Sequence, residues 1–107
     1  MCASPTRTVQ VLLIRPWIHS LAPLRASLGR AGIEARFTRV DIEPALSAAL
    51  ARGGYDVAVV DPATPGLTHA TIDGCLRDHR ADFPIIVLED IESLGERVKA
   101  ALASRRS

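Results

Sequence analysis

The sequence is short of cysteine, aromatic residues and long apolar runs, and each shortage argues against a class of protein. Two cysteines in 107 residues, Cys2 and Cys75, are too few for a disulfide framework, and their spacing fits no structural zinc site. Aromatic residues make up 4% of the chain and accompany no basic stripe, so nucleic acid is not an expected partner. No apolar run is long enough to cross a membrane, and residues 1–10 hold no apolar signal segment. We therefore expect a cytoplasmic protein without a membrane partner.

Sequence motifs that carry common chemistries are missing as well. The chain has no glycine-rich GxGxxG or GxxxxGKS/T segment for a nucleotide, no GxSxG for a nucleophilic serine, and no CxxC redox pair. His19, His69 and His79 fall at separate loop and helix positions, where surface or partly packed side chains are expected. Cys75 is predicted to be a small buried residue of a helix. The chain is therefore not expected to be an enzyme.

The composition instead indicates a single globular domain over residues 1–107. Hydrophobic residues make up 48% of the chain and charged residues 23%, which is typical of folded proteins. This length supports one hydrophobic core and is too short for two. Within the domain, residues 1–8 are predicted to be a flexible terminus and residues 91–107 a terminal helix.

Four segments have the pattern of β-strands. Residues 9–14, 55–60 and 83–88 are short apolar runs typical of strands buried on both faces. Residues 34–40 alternate between apolar and polar, as a half-exposed strand near a sheet edge does.

Four helices are predicted to separate and follow these strands. Ser20, Asp41 and Thr68 are candidate caps for the first three, of which the second covers residues 43–52. The apolar face of the last helix comprises Ile91, Leu94, Val98, Ala101 and Leu102. Alternation of strands and helices predicts an α/β fold, a doubly wound parallel sheet of four strands with helices on both faces.

In such folds the functional site lies at the carboxyl ends of the strands. The residues that follow the predicted strands are Arg15, Pro16 and Trp17, then Asp41, Asp61, and finally Glu89 and Asp90. Apart from Trp17 and Pro16, all of these side chains are charged, so the predicted edge is rich in ionisable groups.

Residues 9–90 resemble the receiver domain of two-component response regulators, most of all receivers in hybrid or multidomain sensor proteins. The resemblance rests on VQVLLI, LRASLGRAGIEARFTRVD, YDVAVVDPATPGL and RADFPIIVLED. Its most specific element is a buried strand that ends in Asp61, with Pro65 and Gly66 four and five residues later. The resemblance implies a flavodoxin-like, receiver-type fold in which Asp61 stands where the family has its phosphoacceptor aspartate.

The sequence departs from the receiver pattern wherever the family's chemistry needs a second group. Receivers hold Mg²⁺ partly with two acidic residues after the first strand, and here these positions are Arg15 and Pro16. Glu89 replaces the Thr or Ser after the fourth strand. The fourth strand leads directly to what resembles the last helix, so the fourth-helix and fifth-strand segment with its lysine is predicted to be missing. The only lysine, Lys99, falls in that terminal helix.

These departures lead to a hypothesis about the pocket. A guanidinium is always charged and pairs well with carboxylates, so Arg15 is predicted to take the electrostatic role of the metal beside Asp61, with Glu89 as a second carboxylate. No cofactor is then expected, and metal-dependent phosphorylation is predicted to be lost. Two alternatives stay open: Asp61 caps the following loop, or Arg15 is solvated. Trp17 is expected either to pack on the first helix or to cover the pocket.

Three functions are compatible with this pattern. The first is a receiver-like signal-transduction module that acts by protein–protein interaction, with a histidine kinase, an output domain or a second copy of itself as partner. The second is a working receiver that a histidine kinase phosphorylates on Asp61 with the help of Mg²⁺. The third is an unrelated small enzyme that uses Asp61 and Glu89 as an acid–base pair. We expect the first.

Overall fold

A computed structural model of the chain describes residues 8–16, 20–62, 64 and 66–105. Strands and helices alternate along them. In chain order they are β1 (Val9–Ile14), α1 (Ala22–Arg30), β2 (Ala35–Val40), α2 (Glu43–Arg52), β3 (Val57–Val60), α3 (His69–Asp78), β4 (Ile85–Val87) and α4 (Ile91–Arg105). None of the described helices combines the length and the apolar character needed to cross a lipid bilayer.

The four strands form one open, all-parallel sheet in the order β2-β1-β3-β4. Helices α1 and α4 pack together on one face of the sheet, and α2 and α3 cover the other. This arrangement confirms the predicted fold class, a flavodoxin-like doubly wound sheet of four strands. Residues 88–90 lead directly from β4 to α4, so the segment that would hold a fourth helix and a fifth strand is absent, as predicted.

The two layers of core follow from the alternation of side chains along β1. Val11 and Leu13 point to the face covered by α1 and α4, whereas Leu12 and Ile14 point to the face covered by α2 and α3. All four side chains are completely buried. A strand in the middle of a parallel sheet is covered by helices on both faces, which explains the continuous apolar run of its sequence.

Helices α1 and α4 approach closely at Gly95. Its backbone N–H donates to the Ser27 hydroxyl at 3.1 Å, and that hydroxyl donates in turn to the Glu92 carbonyl at 3.4 Å. A Cβ at position 95 would lie 2.9 Å from the Ala31 Cβ and closer still to the Ser27 carbonyl oxygen. Glycine is therefore required where α4 crosses α1, and this crossing fixes the position of α4 beneath the sheet.

Two strands are shorter than predicted by two residues or more, for identifiable reasons. At the start of β3, the Asp56 N–H donates to the Gln10 carbonyl at 2.8 Å, but the Gln10 N–H donates to the Asp56 carboxylate at 2.9 Å, so the regular pairing with β1 begins only at Val57. β4 begins only at Ile85, directly after Pro84, which has no N–H to give to a sheet.

The predicted helix caps are partly confirmed. The Thr68 hydroxyl accepts from the Thr71 N–H at 3.2 Å and caps α3 as expected. Leu21, not Ser20, holds the cap position of α1, although the Ser20 hydroxyl accepts from the Ala22 N–H at 3.1 Å. The prediction for Asp41 is wrong, because Ile42 holds the cap position of α2 and no side chain caps that end.

Trp17, His19 and Pro65 lie outside the described residues, so the expectations attached to them stay predictions. The same holds for Cys2 and for the flexible terminus over residues 1–8, of which only residue 8 is described. The single-domain prediction for residues 1–107 also stays a prediction.

Candidate functional site at the carboxyl ends of the strands

The parallel register brings Arg15 and Asp61 side by side. β1 and β3 pair with Ile14 opposite Val60, so the residues that follow each strand are neighbours at the same edge. The ladder continues one step further on each side, because the Asp61 N–H donates to the Ile14 carbonyl at 2.8 Å and the Arg15 N–H to the Val40 carbonyl at 3.2 Å. The backbone of both residues is thus fixed by the sheet.

A buried ion pair joins the two side chains. Arg15 Nη1 lies 3.1 Å from Asp61 Oδ2, and each side chain is only 9% exposed. The contact is a charge-assisted hydrogen bond in surroundings where neither group is well solvated, and each charge compensates the other. Arg15 Nε is also buried and has no hydrogen-bond partner in the described part of the chain. The geometry agrees with the predicted pairing and places Arg15 away from solvent.

Thr64 holds the loop after β3 against the strands. Its N–H and hydroxyl both donate to the Asp61 carbonyl, at 3.2 and 2.8 Å, and the hydroxyl lies 3.4 Å from the Ile14 carbonyl. The side chain is 4% exposed. Asp61 therefore anchors the loop through its backbone while its carboxylate binds Arg15. Thr64 was not predicted as a site residue, although threonine hydroxyls that bond the nearby backbone are a known turn signal.

A second arginine reaches the same edge from β2. Arg39 lies opposite Leu13 in the β1–β2 register, and its Nη1 donates to the Pro16 carbonyl at 3.3 Å. Pro16 itself is buried. Arg39 was not predicted as a site residue, and only the register of β2 against β1 reveals its position. The edge therefore carries two guanidinium groups beside the end of β1, where the resemblance implies an acidic pair.

The prediction that Glu89 joins the pocket is wrong. Its side chain is 77% exposed and lies 3.7 Å from Arg97 of α4, not beside Arg15. The chain turns away from the sheet directly after Leu88, whose N–H makes the last bond to β3. Asp61 and Glu89 are therefore not assembled as the acid–base pair that an enzyme of that kind needs.

The two other acidic residues at strand ends have local roles. The Asp90 carboxylate accepts from the Glu92 N–H at 3.1 Å and caps the start of α4. The Asp41 carbonyl lies directly against Gly66, where an added Cβ would collide with it. Gly66 therefore permits the loop after β3 to rest on the end of β2.

The residues at this edge do not fit the Mg²⁺ ion that the resemblance implies. Mg²⁺ selects oxygen ligands, usually carboxylates, and excludes fixed positive charges from its neighbourhood. Here the Asp61 carboxylate is bound to a buried guanidinium, and a second guanidinium lies at Pro16. Within the described residues, no three His, Cys, Asp or Glu side chains form a group that suits a metal ion.

The described histidines and Cys75 lie elsewhere and agree with their expected structural roles. His69 pairs with Asp73 one turn along α3 at 3.4 Å, and His79 contacts the Ser47 hydroxyl at 3.1 Å on an exposed surface. Cys75 is buried in the core between α3 and the sheet. Its burial, and to a lesser degree the carboxylates of Glu43 and Asp78, raise the pKa of the thiol, which favours its neutral form.

No protein-family model matches the chain, and a search of curated proteins finds no match to it.

Proposed function

We propose that this chain is a receiver-like signal-transduction module that acts by protein–protein interaction and does not undergo metal-dependent phosphorylation. The observation that carries the proposal is the buried pair of Arg15 and Asp61, with 3.1 Å between Nη1 and Oδ2. The fold supports it, because the strand order places an aspartate after the third strand at the carboxyl edge of a flavodoxin-like sheet. In that setting the fixed guanidinium of Arg15 takes the place of the exchangeable Mg²⁺ ion that receivers bind.

The chemistry of acyl phosphate formation explains why the pair argues for an inert site. The carboxylate must attack a phosphoryl group whose developing negative charge is neutralised by a metal and by further cations. Arg15 holds the attacking oxygen in an ion pair, and the Thr or Ser position of the family is an exposed glutamate that binds Arg97. The only lysine, Lys99, is exposed on α4. The module is therefore proposed to work through its surfaces.

Acetyl phosphate and Mg²⁺ test the proposal directly. The wild-type chain is incubated with both, and incorporation of a phosphoryl group is followed by intact mass and by amide shifts in isotope-labelled protein. We expect no phosphoryl group on Asp61 and no Mg²⁺-dependent shift at residues 15 and 61. A metal-dependent adduct that disappears in Asp61→Asn would overturn the proposal and favour the phosphoacceptor function.

An acidic substitution supplies the positive control. Arg15→Asp removes the guanidinium and places two carboxylates at the ends of β1 and β3, which is the start of a Mg²⁺ site. We expect this variant, and not the wild type, to show Mg²⁺-dependent shifts around Asp61. Equal responses of the two proteins to Mg²⁺ would show that Arg15 does not control the site.

A further inference from the structure

β4 forms an open edge of the sheet. Among the described residues its hydrogen-bonded neighbour is β3 alone, reached through Ala58 N–H to the Pro84 carbonyl at 2.9 Å and Leu88 N–H to the Val60 carbonyl at 2.7 Å. Because ladder bonds alternate along a strand, the peptide groups of Ile85 and Val87 point away from β3. An edge of this kind is a ready template for another strand.

The side chains of the edge are apolar and accessible. Ile85 is 45% exposed and Val87 is 39% exposed, and the two share one face of the strand. Ile86, between them, is buried on the opposite face against α4. The strand itself carries no charge or proline, the features by which natural edges avoid pairing.

A side chain from α4 covers part of this edge. Arg97 of α4 donates from Nη1 to the Val87 carbonyl at 2.7 Å, and lies 3.7 Å from the Glu89 carboxylate. The Arg97 side chain is 36% exposed, so water or a peptide N–H can take its place at low cost. In the described part of the chain, no side chain covers the N–H groups of Ile85 and Val87 in this way.

The two ends of β4 carry different charged groups. Beside its amino end lies a cavity of about 380 Å³, with Arg77 and Arg80 exposed on its rim. Asp73 also lines this cavity and Asp82 lies at the same end, so the two arginines and the two acids balance. The carboxyl end leads into the exposed acids Glu89 and Asp90 and stays negative with Arg97 counted.

We propose that β4 pairs antiparallel with β4 of a second copy of this chain. With Ile85 of one copy opposite Val87 of the other, the two-fold axis passes between the two Ile86 residues, and the outward N–H and C=O groups bond in pairs. The apolar side chains of the two edges then lie side by side. Antiparallel pairing also places Glu89 and Asp90 of each copy near the two arginines of the other.

A second copy of the chain is the proposed partner because the β4 edge is complementary to itself. One short strand supplies the apolar pair and the free peptide groups, with two arginines beside one end and two acids after the other, and a two-fold axis uses each of them twice. The interface is small, so association is expected to be weak and concentration-dependent. The inference names a partner for the proposed interaction module but does not depend on Asp61 being inert.

Sedimentation equilibrium of the wild type and matched lysine variants tests the pairing. We expect a reversible dimer of the wild-type chain, and at least tenfold weaker association for Val87→Lys, whose charge falls on the paired edge. The control is Ile42→Lys, at an apolar residue that is 51% exposed but lies after β2 on the far side of the sheet. A wild-type chain that stays monomeric at millimolar concentration, or equal losses in the two variants, would overturn the proposal.

A charge exchange keeps the test independent of folding defects. Arg80→Glu and Glu89→Arg are each expected to weaken association several-fold, and the double variant to restore it. Failure of the double variant to recover would overturn the proposed antiparallel arrangement. Repeating the measurement with acetyl phosphate and Mg²⁺ separates the two proposals: association unchanged by these reagents agrees with both, whereas a phosphoryl adduct on a chain that still dimerises overturns only the proposed function.

Discussion

Two of the arginines that meet oxygen atoms near strand ends, Arg15 and Arg97, differ in how firmly they are held. Arg15 pairs with Asp61 in the middle of the sheet, where both side chains are 9% exposed. Arg97 reaches the edge strand from α4, is 36% exposed, and divides its contacts between the Val87 carbonyl and an exposed glutamate. The first guanidinium neutralises a buried charge, whereas the second covers a carbonyl that water can also reach.

The difference indicates where this domain is fixed and where it is adaptable. Losing one partner of a buried ion pair leaves a charge without solvent or counter-ion, which costs several kcal/mol. Losing an exposed contact costs little, because water replaces it. We therefore expect the carboxyl edge at Arg15 to stay fixed. At the β4 edge, an incoming partner can replace Arg97 at the Val87 carbonyl. Three substitutions test this contrast, in order of decreasing effect.

The largest effect is expected from Arg15→Met. Removing the guanidinium takes the cation at 3.1 Å away from the buried Asp61 carboxylate, so the free energy of unfolding should fall by about 3–5 kcal/mol in urea titrations at neutral pH. The matched control is Arg97→Met, which loses an exposed guanidinium and should fall by no more than about 1 kcal/mol. Arg15→Met with Asp61→Leu removes both charges and should recover most of the lost stability. A double variant as unstable as the single one would contradict the account of a buried pair.

An intermediate effect is expected where α4 crosses α1. Gly95→Ala introduces a methyl group against the Ser27 carbonyl, so the helices must separate, at a cost of about 1–3 kcal/mol. Gly74→Ala is the control, because open space surrounds that position in α3 and alanine favours the helix by about 1 kcal/mol. Since α4 carries Arg97, the crossing also positions the guanidinium that donates to the Val87 carbonyl of β4. Thermal unfolding that ranks the two variants equally would contradict the assigned contact.

The sequence predicts the fold and the place of Asp61, but not the positions of Glu89, Arg39 and Arg97. Four strands, four helices and the place of Asp61 follow from apolar periodicity and from a resemblance confined to residues 9–90. The pairing of Arg15 with Asp61 follows from topology, because adjacent parallel strands end at one edge. Glu89 was misplaced since a three-residue strand leaves no local signal for where the chain turns away. Arg39 and Arg97 depend on register and on a helix crossing, which single-residue patterns do not contain.

The smallest effect on stability, together with tighter association, is expected from Arg97→Ala. The variant loses one hydrogen bond to the Val87 carbonyl and an exposed ion pair, so the free energy of unfolding should fall by only about 0.5–1.5 kcal/mol. Association should become several-fold tighter, because the incoming strand no longer displaces a guanidinium from the edge. The control is Arg36→Ala, which removes an exposed arginine from β2 at the opposite edge and should leave association unchanged. If Arg97→Ala weakens association instead, Arg97 is part of the interface rather than its competitor, and the contrast between the two arginines fails at the edge.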